Sequence, residues 1–203
     1  IEYLADVGLL GEDVALAHCI HVSEKEKEML AKTQTRVLHC PSSNMKLASG
    51  IAPVPEMLAA GVHVSLGADG APCNNRLDAF AEMRKAGLLQ SLRLGPGNLT
   101  AGSILQMATL GGAEALGIDR IAGSLEVGKQ ADFIVMDSSH PGLLGGGDPI
   151  QQVVFSGGPE QIEAVYLAGE CRVDQGRLVG WDMENLAMEV RRAFRRVQER
   201  AFS

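Results

Sequence analysis

The sequence has few aromatic residues, few cysteines and no long apolar run. Aromatic residues make up 4% of the 203 residues, and the four cysteines include no C-x-x-C pair. Scattered cysteines exclude a disulfide scaffold and argue against a structural zinc site. No apolar run approaches the roughly 20 residues that a membrane helix needs, so we expect no spanning segment. No signal-peptide pattern opens the sequence, and we expect a cytoplasmic protein with reduced thiols.

Positive charge is also scarce. The chain has 18 Lys and Arg residues against 25 Asp and Glu residues, which gives a net charge of −7. This balance argues against a nucleic-acid partner, because a phosphate backbone needs clustered basic residues. One basic cluster lies within 191–200, but Glu189 and Glu199 interleave with it, as is typical of a solvated helix face. Hydrophobic residues make up 46%, which is enough for a buried core and excludes a disordered chain.

The first half of the chain alternates short apolar runs with helical patterns. Apolar runs predict strands at 14–20, 36–40 and 62–67, and helical patterns predict helices at 23–32, 53–60 and 77–92. The first helix begins with a capping box formed by Ser23 and Glu26, and Thr100 is a further candidate N-cap. Strands without polar alternation, separated by helices, indicate a parallel sheet in a barrel or a doubly wound fold. We predict a loop over 41–50.

After Gly117 the pattern changes to turns and short strands. Strands are predicted at 131–137, 153–155, 164–167 and 171–173, with a glycine-rich loop over 138–149. This arrangement is typical of an antiparallel β module. A long amphipathic helix is predicted over 183–201.

Three polar residues lie at the carboxyl ends of the predicted parallel strands: His18, His39 and Asp69. Active sites of parallel α/β folds are built at this edge. A carboxylate and an imidazole that meet there could hold a metal, transfer a proton, or both. Taken alone, Asp69 followed by glycine is a turn signal, and a lone histidine is more often a hydrogen-bonded core residue. We assign that second interpretation to the other three histidines, at positions 21, 63 and 140.

Several segments carry a resemblance to a known family. They are LAHCIH at 16–21, HCPSSNMKL at 39–47, GIAPVP at 50–55, LGADGAPCNN at 66–75, EMR at 82–84 and GSLEVGKQADF at 123–133. In this order they resemble the amidohydrolase superfamily, in particular the metal-dependent aminohydrolases that include methylthioadenosine/S-adenosylhomocysteine deaminases and triazine chlorohydrolases. The resemblance implies an α/β fold with three parts. They are the last three βα units of a TIM (β/α)8 barrel over 1–122, the C-terminal part of a small β-sandwich over 123–181, and a terminal helix over 182–203.

The resemblance also implies roles for individual residues. Asp69 matches the carboxylate that ligates a divalent metal, zinc or alternatively iron, and accepts a proton from its bound water. His18 matches a histidine that contacts the reacting group, or that ligates metal in two-metal relatives. Asn44, Asn74 and Asn75 match positions near the substrate mouth. Asn75 has an alternative role as the N-cap of the helix predicted from position 77.

The sequence departs from the family at two points. It has no H-x-H pair and no counterpart of the family's fifth-strand histidine, so it supplies one of about four metal ligands. We therefore expect the C-terminal half of a larger hydrolase, inactive alone, that deaminates an amino-substituted heterocycle such as a purine or a triazine. The expected partner is the missing N-terminal half of the barrel, with a homo-oligomer as a further possibility. A dechlorinating or other hydrolase on the same scaffold, and a non-catalytic truncated remnant, are the alternative interpretations.

Overall fold

The computed structural model describes residues 1–201, which form a mixed α/β structure with two sheets. The first sheet is parallel and has the order β1-β2-β3. Its strands are β1 Ala15–Ala17, β2 Arg36–His39 and β3 Val64–Leu66. Leu16 lies opposite Val37, and Val37 lies opposite Val64. The two outer strands, β1 and β3, each leave one backbone edge unpaired within the described residues.

Helices connect and follow these strands. They are α1 Glu2–Asp6, α2 Glu24–Thr33, α3 Pro41–Lys46, α4 Val54–Ala59, α5 Ala79–Leu94, α6 Ala101–Ala108 and α7 Leu110–Ala115. The predicted capping box is confirmed, because the Ser23 side chain accepts from the Glu26 backbone and the Glu26 side chain accepts from the Ser23 backbone. Thr100 caps α6 as predicted, accepting from the Ser103 amide at 3.1 Å.

Two predictions in this half of the chain are wrong. The segment 41–50 was predicted as a loop, but its first six residues form α3, because Pro41 at the first helical position has a backbone angle preset for a helix. The alternative role of Asn75 as an N-cap is also wrong. The Asp78 side chain caps α5 instead, accepting from the Ala81 amide at 3.1 Å.

The hydrophobic core lies between the parallel sheet and its helices. Its fully buried members include Leu30 of α2, Val37 of β2, Met57 of α4 and Ile104 of α6. Ala15 and Ala17 of β1 stay exposed. The outer strand β1 is therefore covered less completely than the central strand β2.

The second half of the chain contains the antiparallel sheet, with the order β4-β5-β6-β7. Its elements are β4 Phe133–Met136, helix α8 Pro149–Ser156, a 3-10 turn Pro159–Gln161, β5 Ile162–Leu167, β6 Glu170–Asp174 and β7 Arg177–Leu178. The strand predicted at 153–155 is wrong, because these residues belong to α8. Asp148 caps this helix, Pro149 begins it, and Val154 is fully buried in the core beside α5 and α6. A three-residue apolar run is too short to distinguish a strand from a helix.

The last described element is α9, Met183–Ala201, as predicted. None of its side chains is buried, including Phe194, which is 61% exposed. None of the helices in residues 1–201 is long and apolar enough to cross a membrane.

Candidate active site at the carboxyl ends of the parallel strands

Two of the predicted site residues, His18 and Asp69, meet at the carboxyl edge of the parallel sheet. His18 follows β1 and Asp69 follows β3, and the His18 Nε2 atom lies 3.8 Å from Asp69 Oδ2. Both residues have left-handed backbone angles, with φ of 69° and 59°. Such angles are uncommon outside glycine and persist only where surrounding contacts enforce them. The chain therefore turns sharply at both strand ends and brings the imidazole and the carboxylate together.

The Asp69 carboxylate is held by two donors. The Ser43 hydroxyl donates to Oδ2 at 2.5 Å, and the Gly70 amide donates to Oδ1 at 2.7 Å. These bonds, that of Ser43 above all, lower the pKa of Asp69 below its usual value. Asp69 is consequently ionised at neutral pH, which a metal ligand requires.

Asn44 orients the His18 ring. Its Oδ1 atom lies 2.8 Å from His18 Nδ1, so in this amide orientation Nδ1 donates the hydrogen bond. The other ring nitrogen, Nε2, is the one that lies 3.8 Å from Asp69 Oδ2. Asn44 itself is 1% exposed, and its Nδ2 atom is buried with no hydrogen-bond partner among the described residues.

The other two predicted asparagines lie nearby with different surroundings. Asn74 is 4% exposed, and its Nδ2 atom donates to Ala68 O at 2.8 Å and to Glu82 Oε1 at 3.0 Å. Asn75 is exposed and accepts from Lys46 Nζ at 2.8 Å. Asn74 therefore braces the loop that leads to Asp69, whereas Asn75 ties that loop to α3. Contact of either residue with a substrate stays a prediction.

His39 also lies at a strand end but is completely buried, with neither ring nitrogen bonded within the described residues. Burial, together with the nearby His18, lowers its pKa to about 4, so the ring is neutral at physiological pH. The remaining histidines form hydrogen bonds as expected, but none is in the core. His21 lies 3.2 Å from Ser49 O, His63 lies 3.0 Å from Gln34 Oε1, and His140 accepts from the Gly142 amide.

Sequence reasoning missed two residues of this cluster. Ser43, the main donor to Asp69, was placed in a loop, although it follows β2 at the same sheet edge. Glu82 is a buried carboxylate on α5, spaced by four and eight residues from the buried Ala86 and Gln90. A charged residue on a helix face that is otherwise buried is the signal that could have identified it.

The described residues contain no group of three or more His, Cys, Asp or Glu side chains placed to hold a metal ion. The chain nevertheless offers an ionised carboxylate and an imidazole nitrogen that lies 3.8 Å from it. Both are ligand types that zinc and iron accept. The pair fits part of a metal site, and the remaining ligands have to come from elsewhere.

Comparison with known proteins identifies the family of this chain. The model of the Amidohydrolase family matches residues 1–172. The chain belongs to the amidohydrolase family. One protein to which this amidohydrolase is similar is a 5-methylthioadenosine/S-adenosylhomocysteine deaminase of Desulforudis audaxviator. That protein is 42% identical over 200 residues, which are 98% of this chain and 46% of the relative.

Solved structures agree with this assignment. An adenosine deaminase from Xanthomonas campestris with bound zinc superposes with a TM-score of 0.94 at 34% identity, over 98% of this chain and 45% of that one. An atrazine chlorohydrolase from Arthrobacter aurescens TC1, complexed with zinc, superposes with a TM-score of 0.83 at 26% identity, over 93% and 42% of the two chains. The amidohydrolase chain described here thus spans less than half the length of these relatives.

Proposed function

We propose that this chain forms the C-terminal part of a metal-dependent aminohydrolase that removes the exocyclic amino group of an adenine nucleoside by hydrolysis. Water adds to the ring carbon that bears the amino group, and ammonia leaves. The observation that carries the proposal is the ionised Asp69, held by Ser43 and Gly70 with His18 beside it, at the sheet edge where such sites are built.

The proposed architecture follows the same reasoning. Residues 1–122 would contribute the last three βα units of a (β/α)8 barrel, 123–181 part of a β-sandwich, and 182–203 the terminal helix, of which residues 202 and 203 lie outside the described part of the chain. The order β1-β2-β3 of parallel strands supports the first part, and the antiparallel β4–β7 sheet supports the second. The missing ligands, an H-x-H pair among them, would come from the N-terminal half of the barrel. A homo-oligomer stays a prediction, as does a cytoplasmic location, which the four free thiols support.

Each residue of the cluster has a part in this chemistry. A bound divalent ion would supply a Lewis acid that lowers the pKa of water from 15.7 towards about 7. Asp69 would hold that ion, accept a proton from the attacking water and return it to the departing amine. His18, oriented by Asn44, would stabilise the charge that develops on the reacting group.

The relatives favour zinc and an adenine nucleoside. Zinc is bound in both solved structures named above, although iron accepts the same ligands. Identity is 34–42% with the adenosine-type deaminases and 26% with the atrazine chlorohydrolase. A dechlorinating or other hydrolase is therefore the second candidate.

The test uses the full-length protein that contains this chain. Its deamination of adenosine and 5-methylthioadenosine is measured by ammonia release, and its zinc content by elemental analysis. Asp69→Asn is expected to lower kcat/KM by about a hundred- to ten-thousand-fold, because the proton acceptor is lost, and to lower zinc content. Asp174→Asn, an exposed carboxylate of β6, is the matched control and is expected to change neither.

Several results would contradict the proposal. Unchanged rate and zinc content in Asp69→Asn would remove the role of this carboxylate. Robust zinc-dependent turnover by the 203-residue chain alone would show that no further ligands are needed. A full-length protein that neither binds zinc nor releases ammonia would favour a non-catalytic remnant, and turnover of chlorinated triazines alone would favour the second candidate.

A further inference from the structure

Glu82 is a buried carboxylate to which the proposed reaction gives no part. It lies on α5 and is 2% exposed. Its Oε2 atom accepts from the Ser42 amide at 3.0 Å, and its Oε1 atom accepts from Asn74 Nδ2 at 3.0 Å and also from the Ser42 hydroxyl. Lys85 Nζ lies 3.7 Å from Oε1 and donates to the Ser42 hydroxyl at 2.5 Å. A buried charge is tolerated only with such a complete set of partners.

Two of the partners of Glu82, Ser42 and Asn74, connect it to Asp69. Ser42 precedes Ser43, the residue whose hydroxyl donates to the Asp69 carboxylate. Asn74 donates from the same Nδ2 atom to the carbonyl of Ala68, the residue before Asp69, at 2.8 Å. One buried carboxylate thus joins the first turn of α3 to the loop that carries Asp69.

We propose that Glu82 is a positioning residue that fixes Asp69 for metal binding through these two connections. The inference rests on the proposed function, since it assigns Asp69 as a metal ligand. Asp69 has a left-handed backbone angle that few non-glycine residues adopt, so surrounding contacts have to hold it there. Glu82 supplies that constraint from both sides, through Ser42, which precedes the serine that bonds the carboxylate, and through Asn74, which bonds the carbonyl that precedes Asp69.

The negative charge of Glu82 is needed because all its partners are donors. The Ser42 amide, the Ser42 hydroxyl and Asn74 Nδ2 each point a hydrogen at the carboxylate. Glu82→Gln keeps the side-chain shape but replaces one acceptor oxygen with an NH₂ donor. With its oxygen in the Oε1 position, the amide keeps Asn74 and the Ser42 hydroxyl but loses the Ser42 backbone amide, and in the flipped orientation it keeps that backbone amide but loses Asn74. In either orientation one of the hydrogen bonds that join Glu82 to the two connections is lost.

The test measures zinc affinity and steady-state kinetics in the full-length protein. Apo-protein is titrated with zinc against a chromogenic chelator, and folding is checked by circular dichroism. Glu82→Gln is expected to weaken zinc binding by about 10- to 100-fold, as is typical when a group that orients a metal ligand is removed. The kcat is expected to fall with KM unchanged. Glu28→Gln, an exposed glutamate of α2, is the matched control and is expected to leave zinc affinity and kinetics unchanged.

Two further variants separate positioning from folding. Asn74→Ala removes the bonds of Asn74 to Glu82 and to Ala68 O, and Ser42→Ala removes the hydroxyl contacts while it keeps the backbone amide. Each is expected to weaken zinc binding, and Glu82→Gln combined with Asn74→Ala is expected to weaken it by less than the sum of the two single effects in free energy, because both act on one network. If Glu82→Gln does not fold, Asn74→Ala and Ser42→Ala decide the matter by the same zinc titration.

Failure of this inference differs from failure of the proposed function. Wild-type zinc affinity and kcat in a folded Glu82→Gln variant of an active deaminase would overturn the role of Glu82 alone, as would additive effects in the double variant. A wild-type protein that binds zinc but releases no ammonia would overturn the proposed function, while the zinc titrations would still test Glu82. A wild-type protein that binds no zinc would overturn both.

Discussion

The residues around the parallel sheet are buried by this chain itself, whereas those of α9 are not. Leu30, Val37 and Ile104 are completely buried, but Phe194 and Val197 of α9 are 61% and 64% exposed. Apolar burial is the main stabilising term in folding, so the first region carries its own source of stability. The cluster around Asp69 is therefore supported by a hydrophobic core that this chain supplies. The apolar side chains of α9 contribute little to that core.

The largest expected effect comes from shortening one apolar side chain in the core of the 203-residue chain, and the same change in α9 tests the contrast. Ile104→Ala is expected to lower the free energy of unfolding by about 2–5 kcal/mol, because it leaves a cavity in a packed core. Phe194→Ala is expected to change it by less than about 0.5 kcal/mol, because the ring is already in water. Urea denaturation measures both. A loss with Phe194→Ala as large as with Ile104→Ala would show that α9 is packed after all.

A pH dependence of stability tests the burial of His39. Its pKa is about 4 in the folded chain, against 6.5 for an unperturbed histidine, so between these values the unfolded chain binds more protons. Stability is thus expected to fall by about 3 kcal/mol as the pH drops from 6.5 to 4. His39→Leu is expected to remove this component, since the ring nitrogens have no hydrogen-bond partners within residues 1–201 to lose. His21→Gln, at an exposed histidine, is the control, and an unchanged slope in His39→Leu would contradict the assignment.

The smallest expected effect compares two helix caps. Ser23→Ala is expected to lower the free energy of unfolding by about 1 kcal/mol, because it removes the capping box of α2, a helix packed on the core. Asp182 accepts from the Glu184 and Asn185 amides at the start of α9. Asp182→Ala is expected to speed hydrogen exchange of these two amides without a change in global stability. An equal decrease in the free energy of unfolding in both variants would contradict the difference between the two regions.

Sequence periodicity predicted the three parallel strands, and their common edge brought His18 and Asp69 together. It did not predict α3, because the segment after β2 is polar and its helix depends on Pro41 and on contacts with α5. The contacts of Ser43 and Glu82 were missed because their hydrogen bonds span 26 and 40 residues of chain, and no local pattern records a contact over that distance. The burial pattern of α5 could have identified Glu82 itself, but not its partners. The strand predicted at 153–155 failed because burial of Val154 is compatible with either secondary structure.

The edges of β1 and β3 that stay unpaired within the described part of the chain have a consequence for aggregation. Each outer strand presents amide and carbonyl groups that can template pairing with another chain. Both strands are only three residues long, so each offers few such groups and a poor seed for fibrils. Any association of this chain through these edges is therefore expected to give amorphous rather than ordered aggregates.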